Sequence, residues 1–257
     1  MANERDRNVR PGLINGLADV KMFFLAVKTA GPLSAIKKIM HVITWRLHTR
    51  MDRNFDRDFG VQTSSHAFSW DLELQSEGDD IGTEEPMYLP TSSLAFRRIM
   101  SCLPENFGNL LFIDYGSGKG RTLLLAAEYN FKKIIGVEFG KELHDIAEKN
   151  ILNYRSPKRR CDDINSVLID ATLYELPDEP CVLYFFNPFE ESVMRKVIKK
   201  IRASYFSNPR RMILVYYKPK FPEIFQEQDF IHESMAGKRS YLFPNPYGLI
   251  IYETQES

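Results

Sequence analysis

From Leu110 onward, runs of consecutive apolar residues alternate with stretches whose apolar positions recur every three or four residues. Leu110–Asp114 (LLFID), Lys133–Glu138 (KIIGVE), Ser166–Asp170 (SVLID), Cys181–Phe186 (CVLYFF) and Arg211–Tyr217 (RMILVYY) are apolar almost throughout, as strands covered on both faces are. Thr122–Tyr129, Lys141–Ile151 and Glu190–Phe206 read as helices between them. Leu143, Ile146, Ala147 and Ile151 share one face of the second, and Val193, Val197 and Ile201 one face of the third. Two further strand candidates follow Phe230 and end in Gly248–Glu253, with turn chemistry at Pro244-Asn245-Pro246-Tyr247-Gly248 between them. The pattern predicts an α/β chain: a doubly wound, mostly parallel, seven-stranded sheet with helices on both faces and an antiparallel C-terminal strand.

Upstream, Pro90-Thr91-Ser92-Ser93 reads as a helix start, followed by Phe96, Ile99, Met100 and Leu103 on one face. Residues 13–50 read as one or two helices broken near Gly31-Pro32. Leu33, Ile36, Met40, Ile43 and Leu47 form a stripe, with Lys37, Lys38, His41, Thr44 and His48 off it. The organisation expected is a basic helical extension over 1–54, an acidic connector and candidate lid over 55–96, and the α/β domain over 97–257.

Charge adds to this picture. The 257 residues hold 34 Lys/Arg against 34 Asp/Glu, which argues against a uniformly basic nucleic-acid binder and against an acidic disordered chain. The balance is a cancellation. Residues 1–50 carry nine bases and three acids, residues 60–96 seven acids and no Lys or Arg, and residues 97–257 23 bases and 21 acids. Cys102, Cys161 and Cys181 lie far apart with no zinc spacing, so no metal and no disulfide framework is expected, and a reducing, cytoplasmic setting is. The apolar run Met22–Val27 is too short to cross a bilayer, and the polar first ten residues do not begin a signal-peptide pattern. The basic helices admit three readings: packing on the α/β domain or a second subunit, contact with RNA, or rest on an anionic membrane surface. The clusters Arg155, Lys158, Arg159, Arg160 and Lys196, Lys199, Lys200, Arg202 read as a solvated loop and a helix's exposed side.

The chemistry centres on Asp114-Tyr115-Gly116-Ser117-Gly118-Lys119-Gly120-Arg121, where a strand ends, a glycine-rich turn follows and a helix begins. Glycines there let the backbone turn sharply and approach a ligand, and the helix start offers free N–H groups. Counted from Gly116, the third glycine of a dinucleotide fingerprint would fall where Arg121 stands, and GxxxxGK[ST] is absent. The second strand ends in Glu138, twenty residues after Gly118, where a carboxylate accepts from a ribose diol. The third ends in Asp170. The fourth runs into Phe186-Asn187-Pro188-Phe189-Glu190.

The D-x-G-x-G-x-G run resembles the first motif of class I, Rossmann-like S-adenosylmethionine-dependent methyltransferases. The resemblance implies S-adenosylmethionine as cofactor, Asp114 near its methionine portion, Gly116, Ser117, Gly118, Gly120 and Arg121 in its loop, Glu138 at the ribose and Asp170 at the adenine amino group. Asn187-Pro188-Phe189 is similar to the (Asn/Asp)-Pro-Pro-(Tyr/Phe) motif of amine and amide N-methyltransferases, departing from it at Phe189. It is also similar to the Asn-x-Phe of the non-SET histone-lysine enzymes. With Phe55–Thr63 and Tyr88-Leu89-Pro90-Thr91, these motifs resemble a bacterial group of unassigned substrate, over about residues 50–220. That implies Tyr88 and Thr91 over the cofactor pocket and Asn187, Pro188 and Phe189 as the catalytic, acceptor-side residues.

A direct in-line methyl transfer to nitrogen is therefore expected, with a protein or small amine favoured over RNA as acceptor. Positioning supplies most of the rate for such an activated donor. Glu190, Glu191 and His66 are the candidate bases. The alternatives are an RNA or small-molecule methyltransferase, a non-catalytic cofactor-binding module, and an NAD-dependent oxidoreductase. The acidic block with His66, Phe68 and Trp70 reads as a solvated loop or as a lid selecting a cationic partner. Residues 13–50 are the candidate membrane or dimer contact.

Overall fold

The computed structural model describes residues 54–64, 89–103, 106–234 and 248–254. The helical readings over 13–50, the stretch with His66, Phe68 and Trp70, and Tyr88 lie outside the described residues. The chain divides into two units, Met1–Asn54 and Phe55–Ser257, and the sheet belongs to the second.

Seven strands form one sheet: β1 (Leu111–Tyr115), β2 (Lys133–Glu138), β3 (Ile164–Leu168), β4 (Cys181–Phe186), β5 (Met212–Tyr217), β6 (Ile231–Glu233) and β7 (Leu249–Thr254). Their order is β3-β2-β1-β4-β5-β7-β6, with β7 antiparallel to both its neighbours and β1 to β5 mutually parallel. Among the described residues the helices are α1 (54–59), α2 (Ser93–Met100), α3 (Arg121–Ala126), α4 (Lys141–Asn153), α5 (Glu191–Ser207) and α6 (Glu223–Gln226). The doubly wound architecture expected from the apolar pattern is the one observed.

Alternate residues of the central strands feed two cores, which is why those strands are apolar throughout. Phe112, Ile134, Val182, Tyr184 and Ile213 pack under α2 and α3, while Ile113, Ile135, Leu183 and Leu214 pack under Met194, Val197 and Ile201 of α5. The Ser92 hydroxyl caps α2 by accepting from the Ala95 N–H at 3.2 Å. Phe55 and Val61 are buried in the first core beside Tyr154, so residues 55–64, where the stretch expected as connector and lid begins, are packed into this unit.

Boundaries shift where pairing overrides composition. β3 lies two residues before its apolar run because it pairs in register with β2, from Ile134↔Ile164 to Glu138↔Leu168. As an edge strand it is only partly buried. α3 stops at Ala126, and the chain tightens there: the Glu128 and Tyr129 N–H groups donate to the Leu125 and Ala126 carbonyls. The three cysteines are free thiols. Among the described residues no helix is long and apolar enough to cross a membrane.

Gly136, in the middle of β2, leaves room for the glycine-rich turn. A Cβ there would sit 2.6 Å from Ser117 Oγ and 2.7 Å from Leu123 Cδ1. Gly136→Ala is therefore expected to lower stability by about 1–3 kcal/mol, the usual cost of overpacking, measured as a fall in denaturant midpoint at unchanged m-value.

Candidate active site

β1 and β4 are neighbours, and the chain leaves them on opposite sides of the sheet: β1 is followed by the connection to β2, β4 by that to β5. This is the switch point of the topology, where a crevice opens beyond the strand ends. The glycine-rich turn follows β1 and Asn187-Pro188-Phe189 follows β4, so the fold brings the two motifs together. Gly116 holds φ +80°, and a Cβ on it would lie 2.6 Å from Pro188 Cβ. Only a glycine lets the turn approach Pro188 this closely. The turn is pinned below by the Gly116 and Ser117 N–H groups, both donating to the Val137 carbonyl.

The Ser117 side chain faces inward onto Gly136, and its hydroxyl is buried without a hydrogen-bond partner. Its N–H donates to Val137 and its carbonyl accepts from the Gly120 N–H at 2.9 Å, so Ser117 shapes the turn. Glu138 is buried beside the turn and accepts from two amides, Oε2 from Gly118 N–H at 2.7 Å and Oε1 from Gly140 N–H at 2.7 Å. Each oxygen keeps a further lone pair. Asp170 lies past the end of β3, exposed, and accepts from both the backbone N–H and the hydroxyl of Thr172 at 2.8 Å. Those bonds hold its carboxyl below the usual range, so it stays an ionised acceptor.

Asp114 differs. It is 3% exposed and has no ion pair among the described residues. Burial, with a smaller contribution from the Glu138 charge, pushes its carboxyl up to about 8, against a hydrogen bond from Thr122.

The two cations of the turn point elsewhere. Arg121 is 1% exposed; its Nε donates to Thr63 Oγ1 at 2.8 Å and its Nη2 to Ser64 Oγ at 3.0 Å and Asp56 Oδ1 at 3.2 Å. Its guanidinium carbon lies 5.2 Å from the Phe55 ring centre. Lys119 donates to the Ser64 carbonyl. Arg121, expected in the cofactor loop as a ligand residue, is thus a tie between that loop and residues 56–64. Asn150 of α4 makes a second tie, accepting from Gln62 N–H and donating to the Gln62 and Lys119 carbonyls. Thr91 is buried, its hydroxyl 2.9 Å from that of Tyr184.

On the acceptor side, Asn187 is exposed and left-handed at φ +43°. Tyr216, buried in β5, reaches its Oδ1 at 3.5 Å, and the same hydroxyl accepts from the Lys220 and Phe221 N–H groups at 3.2 Å. Phe189 is half-buried against the α5 core. Glu190 faces Lys220 at 3.4 Å and Glu191 pairs with Arg195 at 2.9 Å, so neither candidate base stands alone; His66 lies outside the described residues.

Sequence reasoning missed Tyr216, Asn150, Asp56 and Phe139. Nothing in an apolar strand or a helix face marks the first two. Phe139 carried a signal: an aromatic directly after the strand-end acid has no core to enter. It is 78% exposed, and Leu173, whose N–H donates to the Asp170 carbonyl, is 64% exposed.

No family model and no curated protein matches the chain. Among solved structures it is similar to the YcgJ protein of Bacillus subtilis, at 20% identity and TM-score 0.36, over 52% of this chain and 54% of that one. The chain thus spans about half of that protein's length. It is similar to an RNA methyltransferase from Salinibacter ruber in complex with S-adenosyl-L-homocysteine, at 16% identity and TM-score 0.39, over 65% and 92% of the two chains. It is also similar to a TehB-like SAM-dependent methyltransferase from Corynebacterium glutamicum, at 15% identity and TM-score 0.39, over 74% and 95%.

Two outcomes follow from this geometry. Asp56→Ala strands the buried Arg121 charge and is expected to cost on the order of 3 kcal/mol, with the Asp56→Ala/Arg121→Met pair less destabilised than the sum of its parts. Asp114 binds its proton more tightly when folded than unfolded, so the folded state holds more protons between about pH 4 and 8. Stability should therefore fall as pH rises through that window and level off above it. Asp114→Asn should flatten this slope in chemical denaturation at pH 5.5 and 8.5.

Proposed function

We propose that the chain is an enzyme that transfers a methyl group from S-adenosylmethionine to a nitrogen acceptor. The observation that carries this reading is the charge around the glycine-rich turn. Glu138 accepts from it directly and the ionised Asp170 follows the neighbouring strand, Asp114 beneath it holds its proton at neutral pH and adds no positive charge, and both of its own cations are turned onto residues 56–64. A dinucleotide's pyrophosphate would meet carboxylates there, whereas a nucleoside carrying a sulfonium and an ammonium would meet counter-charges. Glu138 keeps lone pairs for a ribose diol. Phe139 and Leu173 offer bare apolar surface to a base, and Asp170 an acceptor for its amino group. S-adenosylmethionine, when bound, supplies a methyl already activated for transfer.

The chain's own contribution is then position. Asn187 accepts an N–H of the acceptor at its side-chain oxygen, and Tyr216 fixes that amide. Pro188 sets the depth of the floor between cofactor loop and acceptor, and Phe189 backs it. The acceptor nitrogen forms its bond to the methyl carbon as the carbon–sulfur bond breaks, and its proton leaves to solvent. Within nitrogen acceptors, a protein lysine or a small amine is supported by the likeness of Asn187-Pro188-Phe189 to the amine-methylating motifs. A second reading, an acceptor on RNA, is supported by Lys218, whose Nζ lies 5.3 Å from the Phe186 ring centre, and by Lys220, 5.3 Å from that of Phe221.

Calorimetry should show S-adenosylhomocysteine binding and no NAD binding; a folded protein that binds no S-adenosylhomocysteine would overturn the proposal. Phe139→Ala should weaken that binding about tenfold, the worth of one stacked ring. Asn187→Ala should abolish transfer of labelled methyl in a cell extract with cofactor affinity kept, and Tyr216→Phe should lower kcat the same way. Label lost to protease supports the amine reading, and label lost to nuclease the RNA reading.

A further inference from the structure

The loop Arg155–Arg160, which reads in the sequence as solvated, is not isolated in the fold. It closes a cavity of about 470 Å³ together with Arg97 of α2 and with Glu128 and Tyr129 after α3. Two stretches of chain more than fifty residues apart thus converge to put Arg97, Lys158, Arg159 and Arg160 around one hollow, against a single lining carboxylate. That carboxylate is committed: Glu128 pairs with Arg97 at 2.8 Å, its side chain 6% exposed. Lys158 and Arg160 are exposed and have no ion pair among the described residues.

The loop is held in place. The Arg160 and Cys161 N–H groups donate to the Ala127 carbonyl at 2.7 and 3.2 Å, and Lys158 N–H to Ser156 Oγ. Arg159 is fixed by the carbonyls of Tyr154, Cys161 and Asp162 and by the Asp162 carboxylate. The fixed loop backbone keeps Lys158 and Arg160 near one another on the rim, and an anion between them relieves their repulsion. The volume lies within the range of small-molecule sites. Tyr129 and Pro157 add flat apolar wall.

The cavity lies away from the candidate active site. Its residues precede the first residues of β2 and β3, whereas the glycine-rich turn and Glu138 stand at the strands' other ends. A six-residue strand separates them by about 20 Å.

We propose that this cavity binds a phosphorylated sugar, free or as part of a nucleotide. Its phosphate lies against Lys158 and Arg160, with Arg97 and Arg159 behind, and its sugar lies against Tyr129 and Pro157. The site is independent of the cofactor reading.

Calorimetry on the full chain with ribose 5-phosphate and with uridine 5′-diphosphate tests this. Binding that weakens with added salt is expected for one or both probes, and which of them binds tells a free sugar phosphate from a nucleotide. The Lys158→Glu/Arg160→Glu variant, altered only at exposed positions, should unfold at the wild-type temperature and bind at least about tenfold more weakly. Glu138→Gln should leave probe affinity unchanged. Failure of wild type to bind either probe overturns the proposal. So does equal affinity in the double variant, loss of probe binding in Glu138→Gln, or a single-stranded RNA that binds through Lys158 and Arg160 when neither probe does.

Discussion

The charge of the crevice is set by where two cations go. Lys119 and Arg121 lie in the glycine-rich turn and would otherwise set positive charge beside Glu138, which the turn's Gly118 N–H reaches. Residues 56–64 take them instead: Asp56 by charge, Thr63 and Ser64 by hydroxyl, and the Ser64 carbonyl for Lys119. Burying the Arg121 guanidinium in this way is costly unless every partner is present, which is why the segment must fold as part of the sheet unit. Phe55 and Val61 anchor it in the core, and Asn150 repeats the attachment from α4. An electrostatic requirement of the turn therefore dictates the packing of a stretch that contributes no strand.

The second constraint is steric, and it joins the two halves of the crevice. Gly116 meets Pro188 where no Cβ fits, and Gly136 meets Ser117 from below. The turn is thus clamped between β2 and the start of the acceptor-side motif. Asn187, left-handed at the end of β4, and Lys218, left-handed at the end of β5, bend their strands away together, since Phe186 and Tyr217 are the last register partners. Tyr216 closes that corner with one hydroxyl that serves three groups. A displacement of either loop is felt by the other through Pro188.

What could be read from the sequence follows the range of each interaction. Strands buried on both faces announce themselves, so β2 and β4 fall where their apolar runs do, and the glycine spacing identifies the turn. β3, paired on one side only, obeys its neighbour's register instead and begins two residues early. Arg121 shows the limit at the site. Its position in the motif is visible in the sequence, but its direction depends on Asp56, sixty-five residues away, and no local pattern encodes that pairing. Phe139 is the opposite case, legible from its place beside Glu138 and overlooked because aromatic residues are expected inside.

The net charge of zero conceals a separation that matters more than the sum. Glu138 and Asp170 stand at the carboxyl ends of β2 and β3, and Lys158 and Arg160, which have no ion pair among the described residues, stand before the opposite end of β3. At physiological ionic strength exposed charges are screened beyond about 8 Å, and the two ends stand about 20 Å apart. Glu138 and Asp170 therefore act on an approaching molecule separately from Lys158 and Arg160, although Asp162, Asp163 and Glu179 share the second end and Lys218 and Lys220 the first. A cationic ligand is drawn to one end and an anionic ligand to the other, on a domain whose total charge would predict attraction for neither. The parallel sheet makes this division possible. It places every connection after a strand at one end and every connection before a strand at the other, which keeps Glu138 and Asp170 a strand's length from Lys158 and Arg160.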